Sequence, residues 1–150
     1  MAKSITGPKK TAWDAFAQWV KVKGCLETTG HPFAGRCITC GKRFHIRALQ
    51  AGHLIPNRTN GVLFNEELVN AQCVICNERH HGRPNKYREV MVAVYGEEKV
   101  AQWELEARKP IYDRDMDFPA ITQKYRTKTK ELLLPFNYST YSEMLKGHQT

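Results

Sequence analysis

The chain lacks any apolar run long enough to cross a membrane. Apolar residues make up 41% of its 150 residues, yet no stretch nears the ~20 consecutive apolar residues that a transmembrane helix requires. The segment from Met1 to Lys10 is short, polar and basic, without the apolar stretch of a signal peptide. We therefore expect one compact domain with tails. We also expect the protein to have no membrane partner and to reside in the reducing cytoplasm.

Acidic residues are few relative to basic ones. Asp and Glu total 15 and Lys and Arg total 23, which leaves a formal net charge of +8. Such an excess favours a polyanionic partner, most simply DNA. A generally basic soluble protein is the alternative, and charge alone leaves both interpretations open. No helical segment has a pattern that implies base-specific reading.

Internal repeats are absent except for two C-x-x-C pairs, Cys37–Cys40 and Cys73–Cys76. Two such pairs supply four ligands to one tetrahedral zinc ion. Under reducing conditions, metal binding is favoured over the alternatives of disulfides or four unrelated thiols. The 32 residues between the pairs exceed the spacing of a simple zinc ribbon, so we expect a functional element inside this gap. The fifth cysteine, Cys25, is most simply a small buried or half-exposed residue.

Hydrophobic periodicity and turn residues predict a mostly helical chain. The first helix is expected to begin at Thr11, because Asp14 three positions later completes a start similar to a capping box. The later expectations, in chain order, are a strand pair at 43–53, a short helix or turn at 65–72, a helix after Cys76 that is broken at 82–84, helices at 86–95, 97–109 and 120–134, and weak order over the last sixteen residues.

Several segments together resemble one known family. They are the runs Leu49-Gln-Ala-Gly-His-Leu54, Leu63-Phe-Asn-Glu66 and Gln72-Cys-Val-Ile-Cys-Asn77, followed by Gly82 and Tyr87-Arg88. The combination is similar to the NinG/Rap recombination proteins of lambdoid phages and, more broadly, to the HNH or ββα-metal endonucleases. The resemblance covers roughly residues 37–96.

This resemblance implies an α+β, mostly helical fold, in which a zinc-stapled ββα-metal core is flanked by helices. Residues 1–10 are then a basic disordered arm. Residues 11–110 form the zinc-stapled HNH-like nuclease domain with its N-terminal helix. Residues 111–150 comprise a linker, a C-terminal helix and a tail. A phage-encoded protein of this kind acts in the cytoplasm of the host cell, and a homodimer is possible.

The spacing of His53, Asn77 and His81 is similar to that of colicin-type HNH nucleases. His53 precedes Asn77 by 24 positions and His81 by 28. Asn77 and His81 are four apart, so on a helix they share one face and could hold a single Mg²⁺ or Mn²⁺ ion opposite His53. A neutral His53 could then take a proton from the attacking water. Asn77 could instead cap the helix, and His80 competes with His81 as ligand.

Two positions depart from the usual HNH pattern. Gly52 stands where many HNH enzymes have Asp or another ligand before the base. Leu68 stands where the middle asparagine of the signature is expected. Asn70, or less favourably Asn65, could instead hold the loop that carries His53. Either asparagine could also be a simple turn or cap residue.

Basic residues flank the proposed centre on both sides and suit phosphate oxygens. The expected DNA contacts are Arg43, Arg47, Arg58, Arg79, Arg83, Lys86 and Arg88. The sequence therefore predicts a metal-dependent DNA endonuclease that hydrolyses phosphodiester bonds, with branched or recombination-intermediate DNA implied by the resemblance. The alternatives are a non-catalytic zinc-stapled DNA-binding module and a general nicking or packaging HNH endonuclease of a phage.

Overall fold

The computed structural model describes residues 5–56 and 59–147, and there the chain folds as an α+β protein with helices around two small sheets. The α+β, mostly helical class expected from the sequence is confirmed. The helices are α1 Gly7–Thr29, α2 Asn60–Leu63, α3 Pro84–Tyr95, α4 Glu97–Ala107, α5 Phe118–Leu133 and α6 Tyr141–Gly147. The strands are β1 Ala34–Arg36, β2 Arg43–His45, β3 Leu49–His53 and β4 Val69–Cys73. A π-helical turn spans Ile75–Arg79, and 3₁₀ turns lie at 46–48, 113–115 and 134–136.

Helix α1 begins four residues earlier than the sequence predicts. Its first residue is Gly7 rather than Thr11, and Pro8 lies in the first turn, where the missing N–H of proline costs no helical bond. The helix ends at Gly30, whose φ of 83° is left-handed and whose N–H donates to the carbonyl of Leu26 at 3.0 Å. Residues 7–10 of the predicted disordered arm are therefore helical, while residues 1–4 lie outside the described residues.

Helix α5 packs along α1 and completes its buried face. The ring centroids of Phe16 and Tyr125 lie 4.9 Å apart, and those of Trp19 and Tyr125 lie 5.2 Å apart. Near the end of the chain, α6 buries Met144 completely, so the weak order predicted for the last sixteen residues is wrong up to Gly147, and residues 148–150 lie outside the described residues. Helices α5 and α6 thus contribute to the same core as α1, whereas residues 111–117 of the predicted linker lie outside it.

The strands form two antiparallel pairs, β1 with β2 and β3 with β4. Two strands form within residues 43–53 as predicted, but they do not pair with each other, because a 3₁₀ turn separates β2 from β3 and each pairs with a different strand. The helix or turn predicted at 65–72 is a turn up to Leu68, and β4 begins at Val69. In the β3–β4 hairpin, Leu49 lies opposite Cys73 and His53 lies opposite Val69.

Helices α3 and α4 cover the other side of the hairpin. Tyr87 and Met91 of α3 are buried against Val100 and Ala107 of α4. Gly96, whose φ is 90°, joins the two helices as the sequence predicts. Within the described ranges, no helix combines the length and apolar character that a bilayer crossing requires.

Candidate metal centre and hairpin site

A cluster of four cysteines lies at one end of the β3–β4 hairpin. Cys73 ends β4, Cys76 lies in the following π-helical turn, and Cys37 and Cys40 come from the turn after β1. Their four sulfur atoms all lie within 4.8 Å of one another. The Sγ atoms of Cys40 and Cys73 are 3.9 Å apart, close to the ~3.8 Å edge of a tetrahedron with zinc–sulfur bonds of ~2.3 Å.

Hydrogen bonds stabilise negative charge on this cluster. The backbone N–H of Cys76 donates to Cys73 Sγ at 3.4 Å, and the Thr39 hydroxyl lies 3.1 Å from Cys37 Sγ. Burial raises the pKa of Cys37, but hydrogen bonds from Cys40, Thr39 and Cys73 outweigh it and bring the pKa to about 6. Burial and the neighbouring Cys37 raise the pKa of Cys73. Four thiolates therefore require a cation, and four soft sulfur donors at this spacing fit zinc.

Cys25 is separate from the cluster. Its side chain is fully buried against β1, where burial raises the pKa of its thiol to about 12. The expectation of a small buried residue is thus met at this position, and the group of possible metal ligands does not include it.

His53 lies at the opposite end of the hairpin from the cysteines. Its ring is half-buried and stacks on Trp13 of α1, with centroids 5.0 Å apart and an interplanar angle of 22°. Its Nε2 atom lies 3.4 Å from the carbonyl oxygen of Leu63. A neutral ring that donates from Nε2 to Leu63 carries its lone pair on Nδ1. The structure thus fixes the orientation of this imidazole from two sides.

Gly52 must lack a side chain because the side chain of Gln72 lies directly beside its backbone. A Cβ atom added at Gly52 would lie 2.0 Å from Gln72 Oε1, so no side chain fits at this position without displacing Gln72. The fully buried Gln72 donates from Nε2 to the Thr39 hydroxyl at 3.2 Å and to the Gly82 carbonyl at 2.7 Å. Gln72 therefore fills the space beside Gly52, and it ties the hairpin to the first cysteine turn.

Asn70 supports the strand that carries His53. It pairs with Gly52 in the hairpin, and its Nδ2 donates to the Tyr87 hydroxyl at 3.0 Å. That hydroxyl donates in turn to the Gly52 carbonyl at 2.9 Å. Burial raises the pKa of Tyr87, which keeps its hydroxyl protonated as a donor. Asn65 instead accepts from the backbone N–H groups of Glu67 and Leu68, as a turn residue does.

The structure does not put Asn77 and His81 on one helical face. The π-helical turn ends at Arg79, His80 caps it, and His81 has a left-handed φ of 53°. The predicted shared helical face is therefore wrong, because the chain reverses before a full α-helical turn separates the two residues. Both His80 and His81 are exposed.

Asn77 and His53 also lie on different faces of the hairpin. Asn77 Nδ2 donates to Gln50 Oε1 at 2.8 Å, and Gln50 Nε2 donates to Glu78 Oε1 at 2.7 Å. Side chains alternate along a strand, so Gln50 and His53 of β3 point to opposite sides. Among the described residues, the four cysteines are the only group of three or more His, Cys, Asp or Glu side chains that could share a metal ion. The sequence does not point to Gln50 or Glu78, because only the hydrogen bonds from Asn77 to Gln50 and from Gln50 to Glu78 reveal them.

The predicted DNA contacts spread over two sides of the molecule. Arg43 and Arg47 are exposed near β2, and Arg79 and Lys86 are exposed near the second cysteine pair. Lys86 also lies 3.8 Å from an acidic partner on the same helix. Arg58 lies outside the described residues.

Arg88, by contrast, forms ion pairs with two glutamates. Its guanidinium bonds the carboxylates of Glu97 and Glu104, each at 2.8 Å, and so joins α3 to α4. Arg83 has a left-handed φ of 46°, and its Nη1 lies 4.0 Å from Cys76 Sγ. Arg83 is therefore exposed beside the metal centre, whereas Arg88 contributes to packing between helices.

The described residues define an α+β protein with a four-cysteine metal centre built onto a β-hairpin. Residues 3–133 match the model of the family described as the bacteriophage lambda NinG protein. The match covers most of the chain, so this protein belongs to the NinG family, as the sequence predicts. Searches of curated proteins and of solved structures each give no significant match.

Proposed function

We propose that this NinG-family protein is a metal-dependent DNA endonuclease of the HNH kind that hydrolyses phosphodiester bonds in branched recombination DNA. The four-cysteine centre would hold structural zinc. The observation that carries the proposal is the setting of His53. The imidazole stands at a strand end, its Nε2 lies 3.4 Å from the Leu63 carbonyl, and Trp13 holds the ring plane.

The chain's own part in the reaction is proton transfer. His53, as a neutral imidazole, would take a proton from water as that water attacks phosphorus. The phosphorus–O3′ bond then breaks, which leaves 3′-hydroxyl and 5′-phosphate ends. Exposed arginines near the hairpin, including Arg79 and Arg83, would hold the flanking phosphates.

The described residues do not fit a ready-made site for a second ion. His53 and Asn77 lie on different faces of the hairpin, and His81 leaves the helical turn. A Mg²⁺ or Mn²⁺ ion commonly takes several of its ligands from substrate phosphates. The proposal therefore assigns this ion to the complex with DNA and derives no step from it.

The same geometry favours a second candidate, a non-catalytic zinc-stapled DNA-binding module. Gly52 has no room for a ligand side chain, and no second cluster of metal ligands forms among the described residues. In this case the basic surface would bind DNA and the hairpin would only support it.

One experiment separates the two candidates. The purified protein is incubated with matched duplex, single-stranded, flap and four-way DNA, each with Mg²⁺, Mn²⁺ or EDTA. The endonuclease predicts cleavage of the flap or four-way form with a divalent ion and none with EDTA. The His53→Gln variant controls for a contaminating nuclease. Binding of all four forms without cleavage under any condition would leave the DNA-binding module as the function.

A further inference from the structure

His53 contacts two elements that are far apart in the sequence. Trp13 belongs to α1, and Leu63 is the last residue of α2. The imidazole stacks on the indole of Trp13, and its Nε2 lies 3.4 Å from the carbonyl oxygen of Leu63. The orientation of His53 therefore depends on how α1 and α2 are held relative to each other.

Helix α2 is too short to hold its own position. It is a single turn in which the N–H of Leu63 donates to the carbonyl of Thr59 at 2.8 Å. An isolated turn of this length is not stable in water, because its formation fixes several backbone angles for one hydrogen bond. Gly61 packs so closely on the end of α4 that a Cβ atom there would lie 2.4 Å from the Ala107 carbonyl oxygen. Contacts with other elements thus place α2.

A buried asparagine joins the start of α2 to the segment that follows α4. Asn60 is 5% exposed, and its Nδ2 donates to the carbonyl of Ile111 and to Oδ1 of Asp113, each at 2.9 Å. Exchanging the nitrogen and oxygen of this amide would place an oxygen against two acceptors, so these contacts determine its orientation. Among the described residues, Asn60 Oδ1 has no hydrogen-bond partner. The side chain therefore acts here as a donor to two acceptors.

Asp113 extends this connection to α1. Its Oδ1 also accepts from Lys9 Nζ at 3.0 Å. Lys9 and Trp13 are four residues apart on α1, so they lie on one face of the helix. The hydrogen bonds from Asn60 and Lys9 lower the pKa of Asp113, which keeps this carboxylate charged. A single carboxylate thus links α2 to the helical face that carries Trp13.

Together these contacts form a closed circuit around His53. Two of its links are single helical turns, one in α2 and one in α1, and the other four are side-chain contacts. The members of the circuit, in order, are His53, Leu63, Asn60, Asp113, Lys9 and Trp13. Because the circuit is closed, a shift of α2 away from α1 would pull the Leu63 carbonyl or the Trp13 ring away from the imidazole.

We propose that Asn60 and Asp113 are positioning residues, which hold α2 against α1 and so keep the imidazole of His53 in its orientation. The catalytic part of this inference rests on the proposed function, because proton transfer from water requires an oriented base. The inference also gives a role to residues 111–117, which the sequence describes only as a linker.

The circuit can be broken and restored by exchanges that keep the side-chain shape. Asn60→Asp replaces the donor Nδ2 with an oxygen, so two hydrogen bonds become contacts between oxygens. Adding Asp113→Asn returns a donor to the pair and restores the net charge. The matched control is Asn60→Asp with Asp115→Asn, because Asp115 lies in the same 3₁₀ turn and is exposed. It restores the same charge at the wrong position.

NMR of the His53 imidazole measures its orientation without any cleavage. The indole of Trp13 displaces the proton shifts of a stacked ring, and the spectrum of His53→Gln assigns the signals among the six histidines. Asn60→Asp should move the Hδ2 and Hε1 shifts of His53 toward those of a free imidazole. The double variant with Asp113→Asn should return them toward the wild-type values, and the double variant with Asp115→Asn should not.

Thermal melting and zinc content check that each variant is folded. If Asn60→Asp does not fold, Asn60→Ala removes the same donor without adding a charge and should move the same shifts. Unchanged shifts in the folded variant would overturn the proposal. Equal shifts in the two double variants would overturn it as well, because the amide would then act by charge alone.

Cleavage of flap DNA tests the catalytic part. Asn60→Asp should lower kcat by about ten- to a hundredfold, since a displacement of about 1 Å can slow a reaction roughly 10²-fold. KM and DNA affinity should be unchanged, because neither Asn60 nor Asp113 is assigned to DNA. A wild-type kcat in a variant whose His53 shifts have moved would refute the positioning role. A wild-type protein that cleaves no DNA would refute the endonuclease, and the NMR comparison would still decide whether the two residues orient His53.

Discussion

The two ends of the β3–β4 hairpin are built differently. At the end where Leu49 pairs with Cys73, four sulfur atoms lie within 4.8 Å of one another. At the end where His53 pairs with Val69, one half-buried imidazole faces α1, and the polar side chains nearest the second cysteine pair lie on the opposite face. One end is thus complete within the chain, while the other offers a single oriented group.

Because of this difference, we expect the cysteine end to contribute mainly to folding stability and the His53 end mainly to the proposed catalysis. A metal held by four ligands from two turns cross-links distant parts of the chain, so its binding energy becomes folding energy. A half-buried histidine adds little to folding, and in the proposed endonuclease it would act on the substrate. Substitutions at the cysteine end should therefore unfold the protein, whereas substitution of His53 should remove the proposed activity and leave the fold intact. Substitutions between the two ends should cause smaller losses of stability.

The largest effect is expected at the cysteine end. Cys73→Ser removes one of four zinc ligands, and structural zinc in small domains contributes roughly 10–16 kcal/mol of apparent binding energy. This exceeds the roughly 5–15 kcal/mol that holds a domain folded, so the variant should be unfolded or aggregated. Elemental analysis and circular dichroism measure both outcomes. Cys25→Ala, a buried cysteine outside the cluster, is the control and should keep about one zinc per chain. A zinc-free wild-type protein with four titratable thiols would contradict the prediction.

At the other end, His53→Ala should keep zinc and fold but lose cleavage. Loss of a general base typically slows a reaction by about 10²–10⁴-fold. Single-turnover cleavage of flap DNA measures the rate, and anisotropy should report unchanged DNA affinity. If the variant cleaves as fast as the wild type, another group is the base.

Between the ends, Gly52→Ala should destabilise the protein by about 1–3 kcal/mol through overpacking against Gln72. Urea denaturation measures the free energy of unfolding. Gln72→Ala removes the Oε1 and Cδ atoms that a Cβ at Gly52 would approach to 2.0 and 2.9 Å, so Gly52→Ala should cost less in that background than in the wild type. Additive costs in this double-mutant cycle would show that the two positions are not coupled.

A smaller loss is expected from Tyr87→Phe. The Tyr87 hydroxyl donates to the Gly52 carbonyl and accepts from Asn70, and both groups would lose a buried partner at a cost of about 1–2 kcal/mol. The midpoint of thermal unfolding measures this loss. Asn70→Ala and Tyr87→Phe remove one shared contact, so the loss in the double variant should be smaller than the sum of the two single losses.

The smallest effect on DNA binding is expected for Arg88→Gln. Glu97 and Glu104 already neutralise this guanidinium, so its removal should leave DNA affinity unchanged. Arg83→Gln, on the exposed side of the metal centre, should weaken binding and lower the salt slope. Equal losses for the two variants would mean that Arg88 leaves its carboxylate partners to contact DNA.

The sequence predicts features that depend on local periodicity or on paired residue types. Helices expected at 86–95, 97–109 and 120–134 form within two residues of those bounds, because apolar residues recur at helical spacing and Gly96 separates two of them. The two C-x-x-C pairs likewise predict the cysteine cluster, since the metal chemistry requires four ligands from two turns.

Features that depend on distant contacts were not predicted. The alternation of Val69, Ala71 and Cys73 with polar residues is a strand signal that the turn residues before it obscured. The pairing of β2 with β1 depends on residues on the far side of the first cysteine turn. The position of His81 depends on a chain reversal after Cys76, which a spacing of four residues cannot reveal.

The contact between α1 and α5 also has a consequence for synthesis on the ribosome. Phe16 and Trp19 contact Tyr125, which is synthesised roughly a hundred residues later. At ~5–20 residues per second, the ribosome needs several seconds to synthesise that intervening stretch. During that time the apolar stripe of the nascent α1 has no partner from α5. A chain released before α5 should therefore aggregate or require a chaperone, even if its cysteines have already acquired zinc.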